Sequence, residues 1–399
     1  MKIENKFAKI YLDFNATTPL DSGLALKLPE FLQFWGNPSS IHWAGQGPKK
    51  VLRESRKAIA EALQVSPLEL IFTSGGSEAN NTVFQSVFEA SRNSQRNEFI
   101  TTAIEHPSVL KCLSHLQQLG AVVHVISVDR SGQLDWSHFE KVLSPKTALV
   151  SMMLANNETG LVLPIREIAD RAHSLGAKMH TDAVQALGKI PVNLSDLDVD
   201  FASFSAHKFY SLKGCGVLFS KKGNELRPLI FGGGQERHRR GGTENTLGIW
   251  AFGYMASKAS EIQKQAERIS ALRDRLETEI QNHIPQVTIT HAHAPRLPNT
   301  SSLVLAGVDG ETLLMSLDVK GFAVSTGAAC SSGSPEPSPV LLSLGLSREE
   351  AQSSLRVSLG WSTTFEQIEN FILTLKSVVE RLRALQIQNS TGSRLEASR

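Results

Sequence analysis

The chain is short of cysteine, holds no long apolar run and leans to neither sign of charge. Its three cysteines, Cys112, Cys215 and Cys330, are odd in number and lack CxxC spacing. No zinc or dithiol motif is present, no metal site is expected, and any reactive thiol chemistry rests on one of the three. The longest apolar stretches, such as 148–155, fall far short of the ~20 residues of a membrane-spanning helix. Lysine and arginine number 41 against 39 acidic residues, a net charge of +2 without a long block of one sign. Neither nucleic acid nor a membrane is therefore called for as a partner. The opening residues MKIENKFAKIYLDFNATTPL are too polar for a signal-peptide core and lack the arginine-rich, acid-poor bias of a transit peptide. The expectation is a soluble, cytoplasmic protein. An apolar share of 41% over 399 residues is enough for a sizeable core, and the length suggests two domains.

What is present has a clear rhythm. From Leu68 to Ser220 short apolar runs alternate with helix-like segments, the pattern of a parallel sheet covered by helices. Strands are expected at 69–73, 98–103, 122–127, 148–154, 178–181, 201–205 and 216–219. A long helical pattern over 247–283, rich in Ala, Glu, Gln, Lys and Arg, bridges to the last third of the chain. Strands at 301–305 and 322–325 and helices at 311–317, 338–344 and 364–385 make a smaller α+β domain there. The division expected is a large domain over 15–260 and a small one from 1–14 and 261–385. Residues 386–399 lose apolar periodicity and read as a mobile tail.

Four segments carry chemistry. VDFASFSAHKFYSLKGCG places an apolar strand directly before Ser205, His207 and Lys208. A lysine delivered from a strand end can form a Schiff base with a carbonyl cofactor, and shielding from water favours its reactive amine. Seen alone, it is more often an ordinary surface lysine. The strand at 178–181 runs into Asp182 and then Gln185, and a carboxylate there can pair with the protonated pyridine nitrogen of pyridoxal 5'-phosphate. The bland alternative is a helix N-cap. LIFTSGGSEANN leads a strand through Gly75, Gly76 and Ser77 into a helix, whose free amides suit a phosphate. Cys330 lies in STGAACSSGSPEPSP, a segment expected to be a loop able to move, where a thiol can act as a thiolate nucleophile. Cys112 and Cys215 read as small buried hydrophobes.

Together YLDFNATTP, NPSSIH, FTSGGSEANN, EHPSVL, NNETG, HTDAVQ, SFSAHK, GGGQERHRRGGTEN, STGAACSSGSPEPS and SLRVSLG succeed one another along nearly the whole chain. In this order they resemble the cysteine desulfurases of iron–sulfur cluster assembly, in the class V aminotransferase group. The resemblance implies an α/β fold, pyridoxal-phosphate (PLP) fold type I, with a mostly parallel seven-stranded sheet flanked by helices and a smaller α+β domain. It implies Lys208 as the Schiff-base lysine, Asp182 on the ring nitrogen, Gln185 on the ring hydroxyl and His106 stacked on the ring to move protons. Gly76, Ser77, Ser205 and His207 would contact the phosphate, and Thr243 the phosphate of a neighbouring subunit, hence a homodimer. Asn157 is implied against both cofactor and substrate. Arg356 would hold the substrate carboxylate with its planar fork. Cys330 would take sulfur from L-cysteine as a persulfide, release L-alanine, and pass the sulfur to an iron–sulfur scaffold or a thiolation acceptor. The cofactor residues also fit a selenocysteine lyase or another class V enzyme, and the fold alone fits a non-catalytic sulfur-carrier or scaffold subunit. Cys330 on its long loop, with Lys208, Asp182 and His106 all present, favours the desulfurase.

Overall fold

The computed structural model describes residues 9–92, 94–326 and 336–396, so Cys330 and the segment around it lie outside the described residues. In chain order the strands are β1 (Ile10–Tyr11), β2 (Leu70–Thr73), β3 (Glu98–Thr102), β4 (Val122–Ile126), β5 (Thr147–Ser151) and β6 (Lys178–Asp182). Next come β7 (Phe201–Ser205), β8 (Gly216–Ser220), β9 (Val287–Ile289), β10 (Thr300–Leu305), β11 (Phe322–Ala323) and β12 (Ser354–Ser358). Seven of them form one sheet in the order β2-β8-β7-β6-β5-β3-β4. β8 runs antiparallel to both its neighbours, and every other pair in the sheet is parallel.

Both faces of this sheet are covered, which is why its strands read as continuous apolar runs and not as alternating ones. Phe72, Ile100, Val150, Met179 and Phe204 pack on one face. Their chain neighbours Ile71, Phe99 and Leu149, with Phe201 three residues before Phe204, pack on the other, under the helices Gly76–Ser91 and Pro107–Gln118. The period of two along each strand assigns these residues to opposite sides. Because the large sheet is mostly parallel, the carboxyl ends of β5, β6 and β7 share one rim, and the reversed β8 begins at that same rim.

A second core gathers around the antiparallel sheet β12-β10-β9. Leu303, Leu305, Leu355 and Val357 meet Leu276 and Ile280 of the helix Ala266–His283 and Phe371 and Leu375 of the helix Phe365–Glu396. β1 pairs in parallel with β11 beside it. The chain crosses between the two bodies at 13–21, where Phe14 N–H donates to Ser358 O (3.2 Å) and Thr18 N–H to His207 O (3.0 Å).

Two differences from the sequence expectation have physical causes. The helical pattern over 247–283 is three helices, Thr246–Ala256, Ala259–Gln263 and Ala266–His283. The first buries Ile249, Phe252 and Met255 in the large core, and the last buries Leu276 and Ile280 in the second, so the axis breaks where the partner changes. No proline or glycine marks those breaks. The final helix passes 385, its expected end, and reaches Glu396. Residues 386–396 contain no proline and a single glycine, Gly392, so each further residue can add a hydrogen bond to an existing helix.

Gly216 sets the rim of the sheet against the turn before the helix Gly76–Ser91. A Cβ there would lie 2.6 Å from Gly75 Cα and 2.7 Å from Phe204 O, both backbone atoms that cannot swing aside. Gly216→Ala is expected to destabilise the protein by about 1–3 kcal/mol, read as a lower urea midpoint, and an unchanged midpoint would contradict this contact.

Candidate active site

A cleft of about 350 Å³ opens at the rim formed by β5, β6, β7 and the start of β8. Lys208 enters it from the single helical turn Ala206–Lys208 that succeeds β7. Its Nζ donates to the carbonyl oxygens of Asn15 (2.7 Å) and Ala16 (2.5 Å). Burial, reinforced by the nearby Arg356 charge, pushes this amine down to about 8, against the pull of Asp13 and Asp182. Asp182 ends β6 and is buried; its Oδ2 accepts from Asn80 Nδ2 (2.8 Å) and its Oδ1 from Val184 N–H (3.0 Å). It caps a turn and no helix begins there.

His106 stands over the cleft as the N-cap of the helix Pro107–Gln118. Its Nδ1 accepts the backbone N–H of Ser108 (3.1 Å) and lies 2.8 Å from Ser108 Oγ. An accepting Nδ1 leaves the proton of the neutral ring on Nε2. Burial lowers the basicity of the ring, Lys208 lowers it further, and Asp182 opposes them. Asn80 donates both to Ser108 Oγ (2.9 Å) and to Asp182, so one amide ties the histidine's support to the carboxylate. Sequence reasoning misses both Asn80 and Ser108. Asn80 lies four residues after Gly76 on the same helical face, the one signal that could have marked it.

At one end of the cleft the helix Gly76–Ser91 starts at Gly75 with no side-chain cap. Gly76 allows close approach, since a Cβ there would stand 2.7 Å from Val184 Cγ2. Ser77, Ser205 and His207 line this end with it. Burial, then Lys208 and Lys213, push the His207 ring down to about 4, so it is neutral near pH 7. At the other end Arg356, on β12, is buried; its Nη1 donates to Asn157 O (3.1 Å) and its Nη2 to Asp13 Oδ1 (2.7 Å). Its Nε is buried and has no partner among the described residues. Gln185 and Asn157 complete this side, and Gln185 Nε2 donates to Asn15 O (3.0 Å).

The expected site residues thus converge, apart from two. Thr243 is exposed and does not line its own chain's cleft. Cys330 lies outside the described residues, although both flanks of its segment are tied to the cleft. Ser325 exchanges backbone hydrogen bonds with Arg356 (3.1 and 2.7 Å), and Ser338 Oγ donates to Glu158 Oε2 (2.5 Å). Cys112 and Cys215 are buried, and burial pushes their thiols up to about 11 and about 12, which disfavours the thiolate.

Residues 10–371 match the family described as aminotransferase class-V. The chain belongs to the class-V aminotransferase family. It is 43% identical over 380 residues to a cysteine desulfurase of Cereibacter sphaeroides, covering 94% of this chain and 97% of that one. It is 41% identical over 379 residues to the cysteine desulfurase IscS of Dictyoglomus turgidum, covering 94% and 96%. A solved structure described as a NifS-like protein superimposes with a TM-score of 0.87 at 34% identity, over 94% of this chain and 100% of that one. The α/β architecture is therefore the PLP fold type I expected from the sequence.

In this class-V aminotransferase the depressed basicity of Lys208 has a direct readout. At pH 8 about half of its amine is unprotonated, against less than ~1% of an ordinary lysine. Limited reductive methylation of the cofactor-free protein at pH 8, with peptide mapping of the products, is expected to label Lys208 ahead of the exposed lysines. A labelling midpoint near that of the exposed lysines would contradict the shift.

Proposed function

We propose that the protein is a cysteine desulfurase that converts L-cysteine to L-alanine and leaves the sulfur on Cys330 as a persulfide. The observation that carries this is one cleft holding a low-basicity amine at Lys208, a buried carboxylate at Asp182 and a buried guanidinium at Arg356 whose Nε has no partner among the described residues. The cysteine desulfurase names of the relatives support the same reading over a selenocysteine lyase or a non-catalytic scaffold.

The residues fit pyridoxal 5'-phosphate. The uncapped helix start with Gly76, Ser77, Ser205 and His207 suits its phosphate, and the buried Asp182, held by Asn80, suits a protonated ring nitrogen. Lys208 Nζ would hold its carbonyl carbon, Gln185 its ring hydroxyl, and His106 its ring face. Bound there, the cofactor supplies an electron-withdrawing ring that accepts charge from the substrate α-carbon. Arg356 and Asn157 hold the substrate carboxylate and so aim its Cα toward Lys208. Lys208 Nζ takes the Cα proton, and His106 Nε2 is the second group able to move a proton at the cleft. Cys330 Sγ, as thiolate, attacks the substrate sulfur: an S–S bond forms as the substrate's C–S bond breaks. The three-carbon skeleton gains a proton at Cβ, regains one at Cα from Lys208 Nζ and leaves as L-alanine, with no external oxidant or reductant.

The reading extends to a homodimer in which Thr243 serves the partner copy's phosphate site. The exposure of Trp35, Ile41 and Trp43, with the two tryptophan rings in edge contact, supports an apolar interface on the chain. It includes a cytoplasmic setting, a large domain over 15–260 as the cofactor-binding part, and a sulfur acceptor that is an iron–sulfur scaffold or a thiolation protein.

Cys330→Ser is expected to load pyridoxal phosphate normally yet lose alanine production by about 100-fold or more, because a serine hydroxyl stays protonated and is a poor nucleophile toward sulfur. Intact-protein mass after one turnover should show an added sulfur atom on the wild type alone; sulfur on Cys112 or Cys215 would sink the assignment. Arg356→Lys should raise the KM for cysteine about tenfold or more with cofactor affinity nearly unchanged, and an unaltered KM would make Arg356 purely structural.

A further inference from the structure

Lys189 lies four residues after Gln185, beneath the cleft and outside its lining. Gly188 makes its placement possible: the backbone there has φ 78°, and a Cβ would stand 2.2 Å from Phe209 Cε2. The turn closes with Lys189 N–H on Ala186 O (3.0 Å), and the side chain folds back under the site. Nζ donates to Gln185 Oε1 (2.5 Å) and to Asn15 Oδ1 (2.8 Å). Among the described residues no carboxylate pairs with it. A cavity of about 20 Å³ beside it has room for a single water. Burial, with Lys208 and Arg356 close by, holds this amine well below the usual lysine range.

A lysine at a site that disfavours its charge needs a task that an apolar residue could not perform. Charged or neutral, its nitrogen has at least two N–H donors, and both are directed at amide oxygens. Those two bonds decide which end of each amide is which. With Oε1 claimed, Gln185 turns its NH2 group toward Asn15 O (3.0 Å), and both residues line the cleft. With Oδ1 claimed by Lys189 and by Asn299 Nδ2 (3.1 Å), Asn15 sends its own Nδ2 to Asn157 O (3.0 Å) and Thr300 Oγ1 (2.9 Å). The carbonyl oxygen of that same Asn15 receives Lys208.

We propose that Lys189 is a positioning residue that makes Gln185 present an N–H donor, and not a carbonyl oxygen, to the cleft, and that holds Asn15 against Lys208. The inference rests on the proposed pyridoxal phosphate site, where the group facing Gln185 is an acidic ring hydroxyl. A donor there stabilises the oxygen's negative charge. A flipped amide would place one oxygen against another, and the proton shared near Lys208 would be retained to higher pH.

The test uses full-length protein loaded with pyridoxal phosphate and titrated by visible absorbance without cysteine. Lys189→Met removes both donors at nearly constant volume. Its absorbance midpoint is expected to rise by about one pH unit, and kcat to fall about tenfold while the KM for cysteine stays within about twofold. In a double-mutant cycle, adding Lys189→Met to Gln185→Ala should shift the midpoint little further, since the charge on the ring hydroxyl is reached from Lys189 through the Gln185 amide, the bond to Asn15 serving the placement of Lys208. Gln185→Glu offers an independent measure if Lys189→Met folds poorly: it has no N–H donor, and its midpoint should also rise. An unchanged midpoint in Lys189→Met or in Gln185→Glu, or fully additive effects in the cycle, overturns the inference while leaving the proposed function standing. A wild-type protein that takes up no pyridoxal phosphate overturns both.

Discussion

The structure depends on a single buried amide with no polar group left free. Asn15 N–H donates to Ser358 Oγ (3.0 Å), its carbonyl accepts from Lys208 and Gln185, its Oδ1 accepts from Lys189 and Asn299, and its Nδ2 reaches Asn157 and Thr300. These partners come from both bodies of the protein. Leaving one buried group of such a network unpaired costs roughly 1–3 kcal/mol, so the segment 13–18 cannot drift without a penalty at several places. The site lies where that segment crosses, and its reactive groups are held by the same bonds that join the two cores.

Charge is distributed with similar economy. Lys208 and Arg356 face Asp182 and Asp13, while Glu105, buried beside them, is pushed up to about 8, chiefly by desolvation. Near pH 7 Glu105 therefore stays protonated and brings no charge of its own beside Asp182. The two shifted groups act oppositely on stability. Glu105 keeps its proton in the folded state from about pH 4.3 up to about 8, so its contribution falls as pH rises through that window. Lys208 releases its proton earlier when folded, so its contribution rises between about pH 8 and 10.4.

Much of this was legible in the sequence because it is written in local order. A strand ending in Asp182, another ending before Lys208 and a glycine turn before Ser77 each announce themselves within a few residues. The covered sheet is legible for the same reason, since its apolar runs are continuous. The breaks near 257 and 264 were hidden because a helix that changes partners keeps its helix-forming composition. Asn80 and Ser108 were hidden because a polar residue on a helical face looks alike whether it meets solvent or a buried carboxylate. Lys189 and Asn15 carried no periodic signal at all; only the crossing of distant segments gives them their partners.

The cleft therefore has two halves of unlike origin. The backbone of Lys208 is set by β7, β8 and the short connection 206–215, while its Nζ reaches Asn15 and Ala16, 193 and 192 residues away. Arg356 is set by its bond to Asp13, 343 residues away in the chain, and by Asn157, 199 residues away. Such bonds last only while both of the segments they join stay packed, so local opening of either one removes them. A molecule that frays at β12 keeps its lysine in register and loses its carboxylate anchor, so hydrogen exchange would find slow amides beside one and fast amides beside the other.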